Sequence, residues 1–413
     1  MGDSDMQAKF SFTRREMLRR ASLFAGAAAL GRQAVKAAAS SGVPARRLEH
    51  LSAGANVCRW FRYVRRDTPE HFSNYISEAE TALMARLGLK HVRLCIHPNV
   101  LMDQSTGAVL EERAVYLEAA LRRFHRAGLL VVLDLHNEDR AAELNPDWQN
   151  AFTKFWTALA TRLRGFDPDL TIFEIVNEPV FARREEQWNA LNARLAAAIR
   201  QSAPQHTIMT TGPNWGGIDG LKKLDLLPDK NIVYSFHCYD PFPFTHQGAT
   251  WSSEDVKPLR NVPYPSSPEA VAPLLAALED KPGARRMLER YGDERWDKGR
   301  LAARFKEGIE WGTRHGVPLY CGEFGVFPNY ARPEHRANWF RDFGQVLAEH
   351  RIGWAVWGWD EGFGLNRRHV NGQPQVDPVV ARALGLTELL LQHRSSELGR
   401  TAWTRGVRGH SGA

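Results

Sequence analysis

Two glutamates stand out for where they fall. Glu178 closes Ile172-Phe173-Glu174-Ile175-Val176-Asn177-Glu178-Pro179, an apolar run that ends in an amide, a carboxylate and a proline. Glu323 closes Pro318-Leu319-Tyr320-Cys321-Gly322-Glu323-Phe324-Gly325, which repeats the design with glycine as the breaker. Short apolar runs of this kind are expected for strands buried on both faces. Pro179 lacks an N–H and restricts the residue before it, so its strand stops there. Each carboxylate is therefore placed at the carboxyl end of a buried strand, where parallel α/β folds carry their chemistry. Two such carboxylates facing each other suit a general acid/base paired with a nucleophile, the requirement of glycosidic cleavage.

The elements that must position them alternate along the chain. Apolar runs predict strands over 51–57, 89–96, 129–135, 170–177, 207–211, 232–238, 317–322 and 352–357. Helical spacing of apolar residues predicts helices over 74–87, 115–126, 148–163, 187–203, 301–315, 334–350 and 379–392. Gly88, Gly128 and Gly165 follow three of them as stop signals. Residues 240–300 form a long, Pro-rich excursion, a length uncommon in compact domains unless functional or partly structured. Eight strands alternating with helices fit an α/β fold, a single-domain (β/α)₈ TIM barrel over residues 40–394. A doubly wound open sheet is the alternative, but no Gly-x-Gly-x-x-Gly turn follows the first strand. Arg93, His136, Asn177, Glu178, His237, Tyr239, Glu323 and Trp357 then lie in or at the ends of six strands, converging on one face of the barrel.

Composition is that of an ordinary globular protein, 43% hydrophobic and 24% charged. The net charge is +7, and the first 39 residues hold seven Lys/Arg against three Asp/Glu. The remainder is too weakly basic to argue for nucleic acid. Cys58, Cys95, Cys238 and Cys321 lack Cys-x-x-Cys spacing and sit in or beside apolar runs, so they read as buried free thiols.

The ordered set resembles glycoside hydrolase family 5, retaining (β/α)₈ glycosidases. The matching pieces are Arg93 on strand two, His136-Asn137 after strand three, Asn177-Glu178-Pro179 on strand four, His237-x-Tyr239 on strand six, Glu323-Phe324-Gly325 on strand seven and Trp357 on strand eight. They span nearly all of residues 50–360. The resemblance implies that Glu178 is the general acid/base and Glu323 the nucleophile, with no cofactor and no metal. It implies that Arg93 and Tyr239 favour the charged form of Glu323, and that the charge of Glu323 raises the pKa of Glu178. Asn177 would hold the sugar 2-hydroxyl, His136 and His237 would line the sugar site, Asn137 would be a secondary contact, and Trp357 would offer a flat face to the ring. Trp215 and Trp251, on loops around that face, are candidates either for sugar platforms or for core packing. Glu174, deeper on the same strand face as Glu178, reads as structural.

The expected activity is endo-acting cleavage of a β-1,4-glucan, with a β-mannanase or an exo-acting β-glucosidase as alternatives. A metal-dependent hydrolase built on His97, His136 and His237 is the alternative of another class. The first strand, Gly54-Ala55-Asn56-Val57, lacks the His-x-His pair such barrels carry. The partner expected is an oligo- or polysaccharide.

Residues 1–39 read as an address. Thr13-Arg14-Arg15-Glu16-Met17-Leu18-Arg19 precedes the apolar stretch Ala21 to Leu30 and the small residues Ala37-Ala38-Ala39. This resembles a twin-arginine signal peptide, implying the twin-arginine export machinery and a periplasmic or secreted product with no membrane attachment after cleavage. Residues 395–413 are polar and Gly-rich, and are expected to fray.

Overall fold

The computed structural model of the chain describes residues 41–386. Eight parallel strands close into one barrel in sequence order. They are β1 (Gly54–Phe61), β2 (His91–Ile96), β3 (Leu130–Leu135), β4 (Thr171–Glu174), β5 (Thr207–Thr211), β6 (Ile232–His237), β7 (Leu319–Glu323) and β8 (Gly353–Val356). The (β/α)₈ barrel expected from the alternation is the fold observed. The signal peptide expected over residues 1–39, the tail expected over 395–413 and the end of the helix expected over 379–392 lie outside the described residues.

The barrel is filled by side chains. Leu130, Val132, Ile172, Met209, Val233, Tyr320 and Ala355 meet inside it. Below them Val43 and Leu51, flanking the short helix Ala45–His50, close the amino-terminal end. Arg47 of that helix is buried against Asp169 at 2.7 Å. His91 spans the floor between the His50 carbonyl (2.9 Å) and the Tyr320 hydroxyl (2.7 Å). A larger apolar layer packs between the strands and the surrounding helices, among them Glu111–Arg126, Pro146–Leu163, Glu185–Ser202, Lys298–His315 and Pro333–Glu349.

Several boundaries differ from the sequence reading, each for a local reason. β1 runs on to Phe61, because Trp60 and Phe61 are themselves buried. The helix expected over 74–87 begins only at Glu78 and ends at Arg86, started by a reciprocal capping box of Ser77 and Glu80, and a separate helix, Pro69–Asn74, precedes it. β4 ends at Glu174, three residues before Asn177, which frees the next residues to turn over the barrel mouth. The excursion of residues 240–300 contains the helices Phe242–Thr245, Pro268–Leu275 and Pro282–Asp293 and a 3-10 turn, Ala276–Leu278, before the helix Lys298–His315 begins. Its Tyr264 and Tyr291 are buried, and Tyr264 reaches Asp342 at 3.1 Å, so the segment is a packed wall rather than a free loop. A hairpin of β9 (Arg368–Val370) and β10 (Gln373–Gln375) follows β8 and was not expected. All four cysteines are free and buried. No helix among the described residues is long and apolar enough to cross a membrane.

Candidate active site

At the carboxyl end of the barrel, Arg93 is fully buried and every one of its N–H groups is used. Nε and Nη2 donate to Glu174 at 2.6 and 2.9 Å. Nη2 also donates to Asn177 Oδ1 at 2.8 Å. Nη1 donates to Asn56 Oδ1 at 2.9 Å and to Glu323 Oε1 at 2.8 Å. A guanidinium has five donors, so none is left over. Asp134 stands 3.1 Å away as a further carboxylate, raised well above its ordinary pKa by burial and by Glu174 and Glu323, against the pull of Arg93. Glu174, read as structural, is the bidentate partner of Arg93.

The network fixes Asn177. Its Oδ1 accepts from Arg93, so Nδ2 faces His136 Nε2 at 3.0 Å. That nitrogen must accept, which leaves the imidazole proton on Nδ1, donated to Asp134 Oδ2 at 2.7 Å. Burial and the charges of Arg62, Arg93 and Arg140 keep His136 well below its ordinary pKa, consistent with a neutral ring.

A register shift between β6 and β7 sets His237 directly opposite Glu323, skipping Gly322. A side chain at Gly322 would come within 2.9 Å of the His237 ring, so the shift needs glycine there. His237 and Tyr239, two residues apart, face the same carboxylate. Tyr239 donates to Glu323 Oε2 at 3.0 Å, while His237 Nδ1 lies 3.7 Å from that oxygen and 2.8 Å from Glu178 Oε1. Oxygens of Glu178 and Glu323 and a nitrogen of His237 all lie within 4.8 Å of one another. Glu178 itself has φ +42°, a left-handed backbone that side chains seldom adopt, and it is partly open to solvent where Glu323 is buried.

The two carboxyls are shifted opposite to the expected polarity. Burial would raise Glu178, but the hydrogen bond and charge of His237, with Arg140 and Arg93 behind it, hold the group below its ordinary value. Burial, joined by the charge of Glu178, pushes Glu323 up against the pull of His237 and Arg93. The sequence reading lacked the direct His237–Glu178 contact. Burial opposes a charge on His237, yet Glu323 and Glu178 raise it. Three groups so close share protons rather than titrating singly.

The remaining expected residues are placed as follows. Trp357 is largely covered, packing with Cys58, Cys95 and Phe363, its ring 5.6 Å from that of His136. Asn137 turns away, donating to Asp139 O at 2.8 Å and Glu143 Oε1 at 3.2 Å. Trp215 and Trp251 are 56% and 62% exposed, so neither is a core residue. Trp251 stands edge-on to Phe327, with ring centroids 4.8 Å apart. Sequence reasoning missed Asn56, Arg140 and Glu143. Asn56 carried a signal, an amide set between Ala55 and Val57 in the first strand.

Among the described residues two groups could share a metal ion: Cys95, Asp134 and His136, and Glu178, His237 and Glu323. In both, a histidine nitrogen is already hydrogen-bonded to a carboxylate of its group. His97 belongs to neither; its Nδ1 accepts from Asn99 N at the start of the helix Pro98–Leu101.

The description "Cellulase (glycosyl hydrolase family 5)" matches residues 52–362, from the start of β1 to beyond β8. The chain belongs to glycosyl hydrolase family 5. Within this family it is similar to endoglucanase C of Acetivibrio thermocellus, 32% identical over 317 residues that cover 74% of this chain and 90% of that protein. Cellodextrinase A of Ruminococcus flavefaciens is 27% identical over 293 residues, 68% of this chain and 78% of that one. The Thermotoga maritima endoglucanase solved with cellobiose superposes with a TM-score of 0.65 at 23% identity, covering 82% of this chain and 98% of that one. At that identity the likeness speaks for the barrel shared by the family.

Proposed function

We propose that this family 5 enzyme is a retaining endo-β-1,4-glucanase in which Glu323 is the nucleophile and Glu178 the general acid/base. The observation that carries the reading is the separation of the two carboxylates, whose oxygens approach within 4.8 Å. Retaining glycosidases hold their carboxyl groups about 5–5.5 Å apart, and inverting ones about 6.5–9.5 Å. The two relatives above are named for cutting β-glucan or its fragments, which favours glucan over mannan as substrate.

In the first step Glu323 attacks the anomeric carbon while Glu178 gives its proton to the departing glycosidic oxygen, leaving a glycosyl ester on Glu323. In the second, Glu178 takes a proton from water, the water oxygen attacks the same carbon, and Glu323 leaves as carboxylate. Arg93 and Tyr239 hold Glu323 in line. Asn177, its oxygen fixed by Arg93, has an N–H free to meet the sugar 2-hydroxyl, a contact that strengthens in the transition state. The acid step needs a proton on Glu178, and His237 Nδ1 is the neighbour able to supply it across a 2.8 Å hydrogen bond. The other nitrogen of His237 is buried without a hydrogen-bond partner, while, against the effect of burial, the charges of Glu323 and Glu178 raise the ring's pKa and favour keeping a proton in this cluster. Trp215 and Trp251 serve as exposed platforms for sugars beyond the cleavage point.

Turnover of cello-oligosaccharides by Glu323→Gln and Glu178→Ala tests the assignment. Both are expected to remain folded. Glu323→Gln should be inactive, and Glu178→Ala, given dinitrophenyl β-cellobioside, whose leaving group needs no proton, should regain turnover with azide, yielding a β-glycosyl azide. An active Glu323→Gln enzyme refutes the nucleophile. A panel of cellulose, mannan and aryl glucosides, with product analysis, separates endoglucanase from mannanase and exo-glucosidase action.

We further propose that residues 1–39 direct export by the twin-arginine route to the periplasm or beyond. The support is the Arg14-Arg15 pair followed by a short apolar stretch and a small-residue site. Amino-terminal sequencing of the exported protein tests this, and a mature form beginning near Met1 refutes it.

A further inference from the structure

The backbone of Glu178 is strained, and something must hold it. The short helix Arg140–Glu143, entered from Asp139, whose side chain accepts from Ala142 N at 3.0 Å, lies directly behind. Arg140 Nη1 donates to the Asn177 carbonyl at 3.1 Å, the peptide group just before Glu178. Glu143 Oε2 accepts from Val180 N at 3.3 Å, two residues after it. The two side chains are themselves paired, Arg140 Nη1 to Glu143 Oε1 at 2.9 Å, and Asn137 adds a donor to the same oxygen at 3.2 Å. Glu143 is buried, while Arg140 is partly open and its guanidinium lies 5.2 Å from the ring centroid of Trp215. One ion pair thus grips the chain on both sides of Glu178. Neither member hydrogen-bonds the Glu178 carboxyl.

We infer that the Arg140–Glu143 pair is a positioning device for proton transfer, locking the left-handed turn at Glu178 so that its carboxyl is aimed at the leaving oxygen. The inference rests on Glu178 being the acid/base. A fold that wanted only stability would place a relaxed residue at φ +42°. Here the strain is retained and braced, as expected where a reacting group must be held within a fraction of an ångström. Three of the bracing residues, Asn137, Arg140 and Glu143, come from the segment after β3, so β3 supplies the support for the catalytic end of β4.

The test uses leaving groups. Dinitrophenyl β-cellobioside departs without needing a proton, whereas phenyl β-cellobioside needs one. The parameter is kcat/KM, which reports the glycosylation step. Arg140→Gln and Glu143→Ala are expected to lose ~100-fold on the phenyl substrate, the scale of an ångström misplacement, and at most about threefold on the dinitrophenyl one. Arg140→Lys should regain part of the loss. Glu143 does not touch Trp215, so its variant separates aiming from sugar stacking. The ratio between substrates does not depend on the folded fraction, so partial unfolding does not blur it. Equal losses on both substrates, or none on the phenyl substrate, would overturn the inference. Glu178→Ala is the control: if it too loses equally on both, the acid/base reading fails first.

Discussion

Exchanging Arg93 for methionine keeps most of the side-chain length but removes the cation that Glu174, Glu323 and Asp134 share. The site is fully buried, and all five guanidinium donors are engaged. Removing one partner of a buried ion pair typically costs about 3–5 kcal/mol, because the remaining charge is left uncompensated. At 1.36 kcal/mol per decade that is about a 10²–10⁴-fold fall in the folding equilibrium. It is a large share of the about 5–15 kcal/mol that holds a domain together. At about 2 °C per kcal/mol for a chain of this size, the melting temperature should drop about 6–10 °C. Turnover should fall ~100-fold or more, since Glu323 loses its cation and Asn177 its orientation. Combining Arg93→Met with Glu174→Gln neutralises one stranded charge, so the pair should be more stable than Arg93→Met alone while remaining inactive. Calorimetry with an assay on soluble cello-oligosaccharides reads both quantities. A melting temperature within about 1 °C of the parent, or a double variant less stable than either single one, would refute the argument.

The pH dependence follows from the shifts at the three coupled groups. Activity needs Glu323 ionised, so its raised pKa sets an acid limb above the ordinary carboxylate range. Activity also needs the proton shared by His237 and Glu178, so His237, itself raised, sets the basic limb. Replacing His237 with asparagine should move the basic limb to lower pH and narrow the profile; an unmoved limb would exclude His237 as proton holder. Trp215→Ala and Trp251→Ala should each raise KM for long glucans by ~10–30-fold with kcat nearly kept, if a sugar covers about 60–80 Å² of the exposed ring at about 25 cal/mol/Å². Prolonged chelation should leave activity unchanged, and a loss restored by a divalent metal would favour the metal-dependent alternative. Burial pushes the thiols of Cys58, Cys238 and Cys321 up, so alkylating reagents should label the protein only once it unfolds, as read by mass spectrometry.

The order of apolar strands and amphipathic helices was enough to give the barrel, because period and punctuation are local properties of a chain. The same holds for Glu178 and Glu323: a carboxylate at the end of an apolar run, followed by a breaker, marks itself. Arg93 was legible as a charge inside a strand, and Tyr239 as the neighbour of His237 at strand spacing. What could not be read was which groups share protons. The contact between His237 and Glu178 depends on a one-residue slip between β6 and β7, and that slip is a property of the closed barrel. It reversed the polarity expected for the two carboxyls. Arg140 and Glu143 carry no sequence signal, since a short charged helix after a strand is ordinarily a solvated surface. Only closure of the barrel brings that helix against the backbone on either side of Glu178, because hydrogen bonds to peptide groups leave no mark on side-chain identity. The sequence alone determined which polar side chains stand at the ends of the barrel strands; the tertiary structure decided how each is aimed and charged, because aim and charge arise from neighbours that are remote along the chain.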